Sequence, residues 1–126
     1  MAGEKIFENK VKKFLNEQNC WTVKYWGGGG FTRSGVPDLL ICCNGRFIAA
    51  EIKAENGQPT VLQLITLKRI TESGGIAVLL YPKDFEQFRQ MIKAIWSSKD
   101  SEVIQLKQMF AFRINEELRR QTNEHF

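Results

Sequence analysis

Residues 38–53, with the sequence DLLICCNGRFIAAEIK, contain two apolar runs separated by Asn44-Gly45. This dipeptide between apolar runs is typical of a two-residue β-hairpin turn, because both central residues of a type I′ turn need positive φ. If the turn has two residues, Cys43 pairs with Arg46, and the residue numbers of each cross-strand pair sum to 89. The stretch therefore predicts two antiparallel strands with a defined register.

The predicted register places two acidic residues opposite each other at the open end of the hairpin. Asp38 faces Glu51, and Lys53 points to the same side because side chains alternate along a strand. Like charges directly opposite each other, with Cβ atoms about 5 Å apart, are destabilising. A hard divalent cation would offset the repulsion and, with a lysine nearby, would suit phosphodiester hydrolysis. The alternative is an exposed Asp38 beside a surface Glu51–Lys53 pair.

The rest of the chain predicts the element order αβββαβαα, which implies an α/β fold with a mixed sheet flanked by helices. Helical periodicity, aromatic and β-branched runs, and glycine or proline boundaries predict the following elements: a helix over 4–18, a strand at 21–26, the hairpin strands at 38–43 and 46–53, a helix over about 60–73, a central strand covered on both faces at 76–81, and helices over 84–96 and 102–121.

Two of these helices carry further expectations. The helix at 60–73 is apolar over most of its circumference, which predicts burial on more than one side and makes it a candidate dimer surface. The C-terminal helix is a second candidate for that role, and core packing is the alternative for both. Asp84 and Gln87 are spaced to form an N-terminal capping pair for the helix that follows them.

The composition indicates one compact domain. The chain has 126 residues, 43% of them apolar, and a net charge of +4, which alone is weak support for a nucleic-acid partner. It contains no apolar run of the roughly 20 residues that a membrane span needs, and residues 1–15 lack a secretory apolar region. We therefore expect a cytoplasmic protein with no membrane partner.

Cysteine and histidine usage excludes several chemistries. The odd set Cys20, Cys42 and Cys43 indicates reduced core residues, and there is no CxxC pair. The single histidine, His125, is the penultimate residue, which argues against a zinc site or a histidine-based triad. Catalysis would therefore depend on carboxylates and lysine.

The glycine-rich segment 27–35 (GGGGFTRSG) lacks the Gly-Lys-Ser/Thr ending of a phosphate-binding loop, so we expect no nucleotide cofactor. It suits a connector that lets Arg33 and Ser34 approach a DNA phosphate, and simple loop flexibility is the alternative. Other lysines could extend a DNA-binding surface or could be ordinary solvated side chains: Lys5, Lys10, Lys12, Lys13 and Lys24.

The string Gly35-Val36-Pro37-Asp38-Leu39-Leu40, followed by Glu51-Ile52-Lys53, resembles the signature of PD-(D/E)XK nucleases. With Gln63 in the next helix, the arrangement is similar to the VRR-NUC group and its viral or prophage single-domain members. The resemblance covers about residues 4–96. It implies a restriction-endonuclease-like αβββαβ core over residues 1–96, and a C-terminal helical extension over 97–126 that packs on the core or at a dimer interface.

The same resemblance implies a role for each motif residue. Asp38 and Glu51 would ligate Mg²⁺ or Mn²⁺, with the backbone carbonyl of Ile52 as a third ligand. Lys53 would position or activate the attacking water.

Two helical residues complete the implied site. Glu8 would reach the metal directly or through water, although it could instead pair with Lys12 at i+4, and Glu4 is a rival for its role. Gln63 would help to order the site, although it could also be a buried, satisfied amide.

The implied function is a metal-dependent, structure-specific DNA endonuclease, in particular a homodimeric Holliday junction resolvase. Symmetric cutting of a four-way junction needs two sites related by a twofold axis, which one short chain supplies only as a dimer. The alternatives are a less selective nickase or restriction-like nuclease, and a non-catalytic DNA-binding module on the same fold.

Overall fold

The computed structural model describes residues 2–26 and 34–123. The elements are, in chain order, α1 (Ala2–Glu17), β1 (Trp21–Lys24), β2 (Leu39–Cys43), β3 (Arg46–Ile52), α2 (Val61–Glu72), β4 (Ile76–Leu80), a 3-10 turn (Pro82–Asp84), α3 (Phe85–Trp96) and α4 (Asp100–Asn123). The predicted mixed α/β class and element order are confirmed, with α4 longer than expected.

The sheet has the spatial order β1-β2-β3-β4. The first three strands are antiparallel neighbours and β4 runs parallel to β3, so the sheet is mixed. The β3–β4 connection contains α2, as a parallel crossover requires. All five residues of β4 are buried, which confirms that this strand is covered on both faces. Its predicted central position is wrong, because β4 lies at the edge of the described sheet, and α2 and α4 pack against it.

Helices cover both faces of the sheet. On one face, α1 and α3 pack on the core-facing residues of the hairpin, including Leu39, Ile41 and Ile48. On the other face, Leu64 and Leu67 of α2 pack with Ala77 and Leu79 of β4. The C-terminal α4 contributes to both cores through three buried residues: Val103, Phe110 and Ile114.

Three local expectations were wrong. α2 is buried on one side only, because Leu62 and Ile65 are exposed. Cys42 is also exposed, since it points to the sheet face opposite Cys43. The structure contains no side-chain cap from Asp84 to α3.

Asp84, in the 3-10 turn, instead contacts Tyr81 just after β4 and Arg113 in α4. Its buried carboxylate accepts a hydrogen bond from Tyr81 N at 3.3 Å and pairs with the Arg113 guanidinium of α4. Among the described residues, the buried Oε1 of Gln87 has no hydrogen-bond partner. The carboxylate is therefore used for a long-range contact that local spacing does not predict.

Across residues 2–26 and 34–123, no helix has both the length and the apolar character needed to cross a membrane.

Candidate active site

The hairpin has the register that its turn predicts. Cys43 pairs with Arg46 and Leu39 pairs with Ala50, so the pair numbers sum to 89 along the whole ladder. Asn44 and Gly45 have φ of 47° and 82°, as a type I′ turn requires. Asp38 immediately precedes Leu39 and Glu51 immediately follows Ala50, so the register places the two carboxylates at the same end of the hairpin.

Asp38 is held by both neighbouring strands. Its Oδ2 accepts a hydrogen bond from Ile52 N at 2.8 Å, and its backbone carbonyl accepts one from Tyr25 N at 2.8 Å. The second carboxylate oxygen, Oδ1, lies 3.4 Å from Lys24 Nζ. These contacts fix the orientation of the carboxylate at the point where β1 ends and β2 begins.

Glu51 is only 2% exposed. Its Oε2 lies 3.4 Å from Lys53 Nζ, whereas among the described residues its buried Oε1 has no hydrogen-bond partner. Burial and then the charge of Asp38 raise the pKa of Glu51 to about 8, although Lys53 acts in the opposite direction. The site is therefore short of positive charge.

A second ion-pair group lies on the α1 side of Asp38. Lys24 Nζ is 2.6 Å from Glu8 Oε1, and Lys12 Nζ is 3.6 Å from Glu8 Oε2. Burial disfavours the ammonium, but the hydrogen bond to Glu8 and the charges of Asp38 and Glu8 outweigh it and raise the pKa of Lys24. Lys24 thus connects the buried Glu8 to the hairpin, and the alternative Glu8–Lys12 pair is also formed.

Gln63 is engaged at the start of α2. Its side-chain Oε1 accepts a hydrogen bond from Thr60 N at 2.9 Å, and its backbone N donates to Thr60 Oγ1 at 3.1 Å. This reciprocal capping box satisfies two backbone N–H groups at the helix start, those of Thr60 and Gln63. The side chain expected to order the site therefore serves the helix terminus in this structure.

The residues expected to contact DNA are spread over several environments. Lys5 is exposed, with Nζ 5.9 Å from the ring centroid of Trp26, and Ser34 is exposed. Lys12 pairs with Glu8, and the ammonium of Lys24 lies between two carboxylates rather than on an open surface. Arg33 lies outside the described residues.

The oxygen atoms at the hairpin end suit a hard cation. Two carboxylates, with the Ile52 carbonyl as the third ligand that the motif resemblance implies, would match the preference of Mg²⁺ for a few protein oxygens with retained waters. The unpartnered Oε1 of Glu51 is an acceptor that such an ion would satisfy. Within the part of the chain that the structure describes, however, no three His, Cys, Asp or Glu residues are grouped so as to hold a metal. The fit thus depends on two carboxylates, with Glu8 bound to Lys24.

Sequence reasoning missed the position of Lys24. In the β1–β2 register, Lys24 pairs with Leu39, whose side chain faces α1. Strand alternation would have predicted this position if the β1–β2 pairing had been known. The pairing depends on the long connection after β1, for which the sequence offers no tight-turn signal.

No family model, curated protein or solved structure matches this chain.

Proposed function

We propose that the chain is a metal-dependent DNA endonuclease with a restriction-endonuclease-like core, and that it hydrolyses phosphodiester bonds. One observation carries the proposal: Glu51 is buried opposite Asp38 and beside Lys53, with one carboxylate oxygen left without a hydrogen bond. An arrangement that only stabilised the fold would gain nothing from a buried, unsatisfied carboxylate. A cation-binding site explains it.

In this proposal, Asp38, Glu51 and the Ile52 carbonyl hold Mg²⁺ or Mn²⁺. When bound, such an ion polarises the phosphoryl group and lowers the pKa of a bound water. Lys53 lies 3.4 Å from Glu51, so its ammonium can orient the water or donate to a phosphate oxygen on the same side. The hydrogen bond from Ile52 N leaves Asp38 Oδ2 pre-oriented, which lowers the reorganisation needed at the transition state.

Glu8 and Lys24 act as positioning residues in this account. Lys24 contacts both Glu8 and Asp38, so it fixes the distance between α1 and the hairpin end. Its ammonium also supplies positive charge next to Asp38 without occupying the side where Glu51 lies.

The substrate we propose is branched DNA, in particular a four-way junction cut by a homodimer. The support is that the described residues of one chain bring together one candidate site, because paired symmetric cuts need two sites related by a twofold axis. We assign the contact between copies to the outward face of α4, where Ile104 and Phe112 are exposed.

The activity is tested with labelled four-way junction, flap and linear duplex in Mg²⁺. We expect the junction to be cut fastest and Asp38→Asn to lower the rate at least about a hundredfold. Glu55→Gln, a change at an exposed glutamate near the site, is the control and should cut like wild type. Equal cutting of all substrates would favour a less selective nickase, and no cutting of any substrate would favour a DNA-binding module.

A further inference from the structure

A groove of about 720 Å³ lies between α2 and the turn end of the β2–β3 hairpin. Val36 and Pro37, which lead into Asp38, form part of its lining, and so do Leu40 and Phe47. By strand alternation, Leu40 and Phe47 are on the same sheet face as Glu51. The groove therefore lies on the same sheet face as Glu51, and Val36 and Pro37 connect its lining to Asp38 along the chain.

The groove exposes large apolar side chains. Phe47, Leu62 and Ile65 line it and are 46%, 49% and 40% exposed. Contiguous exposed apolar surface of this kind marks a binding site more often than it marks ordinary surface. Phe47 in addition offers an aromatic ring on which a planar ligand can stack.

The charged residues of the groove all have the same sign. Arg46, Arg69 and Lys107 line it, and among its described lining residues there is no carboxylate. Arg46 makes an exposed pair with Asp100 at 3.4 Å, which is a weak interaction, and Lys107 donates to the Gly74 carbonyl at 3.4 Å. The groove therefore favours an anionic ligand that also has apolar, stackable parts.

Unpaired nucleotides have this combination of properties. Aromatic and apolar side chains stack on bases of any sequence, and arginine and lysine side chains bind the phosphates. A second copy of the chain fits less well, because a twofold contact across this patch would bring the three cationic residues of each copy together. A duplex would present phosphates but would keep its bases away from Phe47.

We propose that this groove binds a short unpaired stretch of a DNA strand, next to the candidate active site. The proposal rests on the proposed function and deepens it, since it specifies DNA with unpaired nucleotides at the branch as the substrate class. Strand continuity between the groove and Asp38 would then select the phosphodiester bond beside an opened branch point.

The test is fluorescence anisotropy of a labelled oligothymidylate and a blunt duplex of equal length, with wild-type protein in EDTA so that no cleavage occurs. The variant Arg69→Gln/Lys107→Gln should weaken binding of the single strand roughly tenfold and lower its salt slope by about 1.4, while duplex binding changes little. Phe47→Ala should weaken single-strand binding roughly tenfold without changing the salt slope. Lys68→Gln is the control, because Lys68 is exposed on α2 next to Arg69 but does not line the groove.

Unchanged single-strand affinity in folded groove variants, with folding checked by circular dichroism, overturns the proposal. So does light scattering in which Leu62→Asp converts a dimer to a monomer, because the groove would then be covered by a second copy. Competition by polyglutamate but not by oligothymidylate would indicate an acidic protein partner and would equally overturn it. If groove variants cut junctions at the wild-type rate, the role of the groove in substrate binding is contradicted and the endonuclease activity is not. If the wild type binds single strands but cuts no substrate, the proposed endonuclease activity is contradicted and the role of the groove is not.

Discussion

Glu51 combines burial, a facing carboxylate and an oxygen without a hydrogen bond. Each of these properties destabilises the ionised form, and Lys53 compensates only in part. The fold thus brings together two carboxyl groups whose repulsion is relieved either by a proton on Glu51 or by a bound cation. Such local conflicts with ordinary packing rules are typical of functional sites.

The pKa of Glu51 gives a pH dependence of stability. In the folded protein its pKa is about 8, against 4.5 for a glutamate carboxyl in water, so between these pH values the folded state holds a proton that the unfolded chain releases. The free energy of unfolding should therefore fall as pH rises from about 4.5 to 8, by roughly 3–5 kcal/mol.

Urea unfolding in EDTA at several pH values measures this effect. Glu51→Gln should flatten the curve in that window, because glutamine keeps the shape but binds no proton. Glu55→Gln should leave the curve of the wild type unchanged. The same slope in the wild type and Glu51→Gln would refute the assignment of the raised pKa to Glu51.

Gly35 precedes the Asp38 motif and has φ of 80°, and a Cβ there would lie 2.8 Å from Leu62 Cγ. Gly35→Ala should therefore combine backbone strain with a steric clash and lower the free energy of unfolding by about 2–4 kcal/mol. Gly45 has φ of 82° but no atom within 4 Å of an added Cβ, so Gly45→Ala should lower it by only about 1 kcal/mol. Equal losses in urea unfolding would show that the approach of α2 to this loop is not close.

At the scale of elements, the hairpin could be predicted because its information is local. Asn44-Gly45 specifies the turn, the turn specifies the register, and the register brings Asp38 opposite Glu51. The boundaries of α2 and the start of β4 could also be predicted from local sequence, because Pro59 precedes the helix and Gly74-Gly75 separates it from the strand.

Contacts between elements distant in sequence could not be predicted in this way. Asp84 pairs with Arg113 of α4 instead of capping α3, and Lys24 binds Glu8 of α1. Neither contact leaves a signal in residue spacing. The exposed side of α2 was missed because an apolar helix predicts burial and does not say which side a partner covers.

The Asp84–Arg113 pair connects the turn after β4 to α4. Asp84 is buried but the Arg113 side chain is 39% exposed, so Arg113→Met should leave a carboxylate without its cation at a partly solvated site and lower the free energy of unfolding by about 1–3 kcal/mol. The matched control is Arg119→Met, which breaks an exposed i,i+3 pair with Glu116 on the same helix and should change it by less than about 1 kcal/mol. Similar midpoints for both variants in thermal unfolding would contradict a larger contribution to stability from the Asp84–Arg113 pair than from the Glu116–Arg119 pair.

At the scale of the whole molecule, α4 both completes the cores and presents an outward face. Its buried residues Val103, Phe110 and Ile114 pack on the sheet and helices, while Ile104 and Phe112 are exposed. This division leaves the outer side of α4 available for a second copy in the proposed dimer.

Light scattering with and without junction DNA tests that dimer. The wild type should give a dimer, and Phe112→Asp should give a folded monomer that nicks a junction on one strand instead of making paired cuts. Thr122→Asp, a change of the same charge on the same helix, should remain a dimer. A wild-type monomer under both conditions would exclude the homodimer and leave the chemistry of the site untouched.

In the proposed function, Asp38 and Glu51 form a divalent-metal site. Titration calorimetry with Mn²⁺ tests it most directly, on the wild type, Glu51→Gln and the exposed control Glu55→Gln at pH 8. The account predicts saturable binding to the wild type and Glu55→Gln, and a loss of at least about tenfold in affinity in Glu51→Gln. Equal Mn²⁺ affinity in all three proteins, or no binding to the wild type, would contradict it.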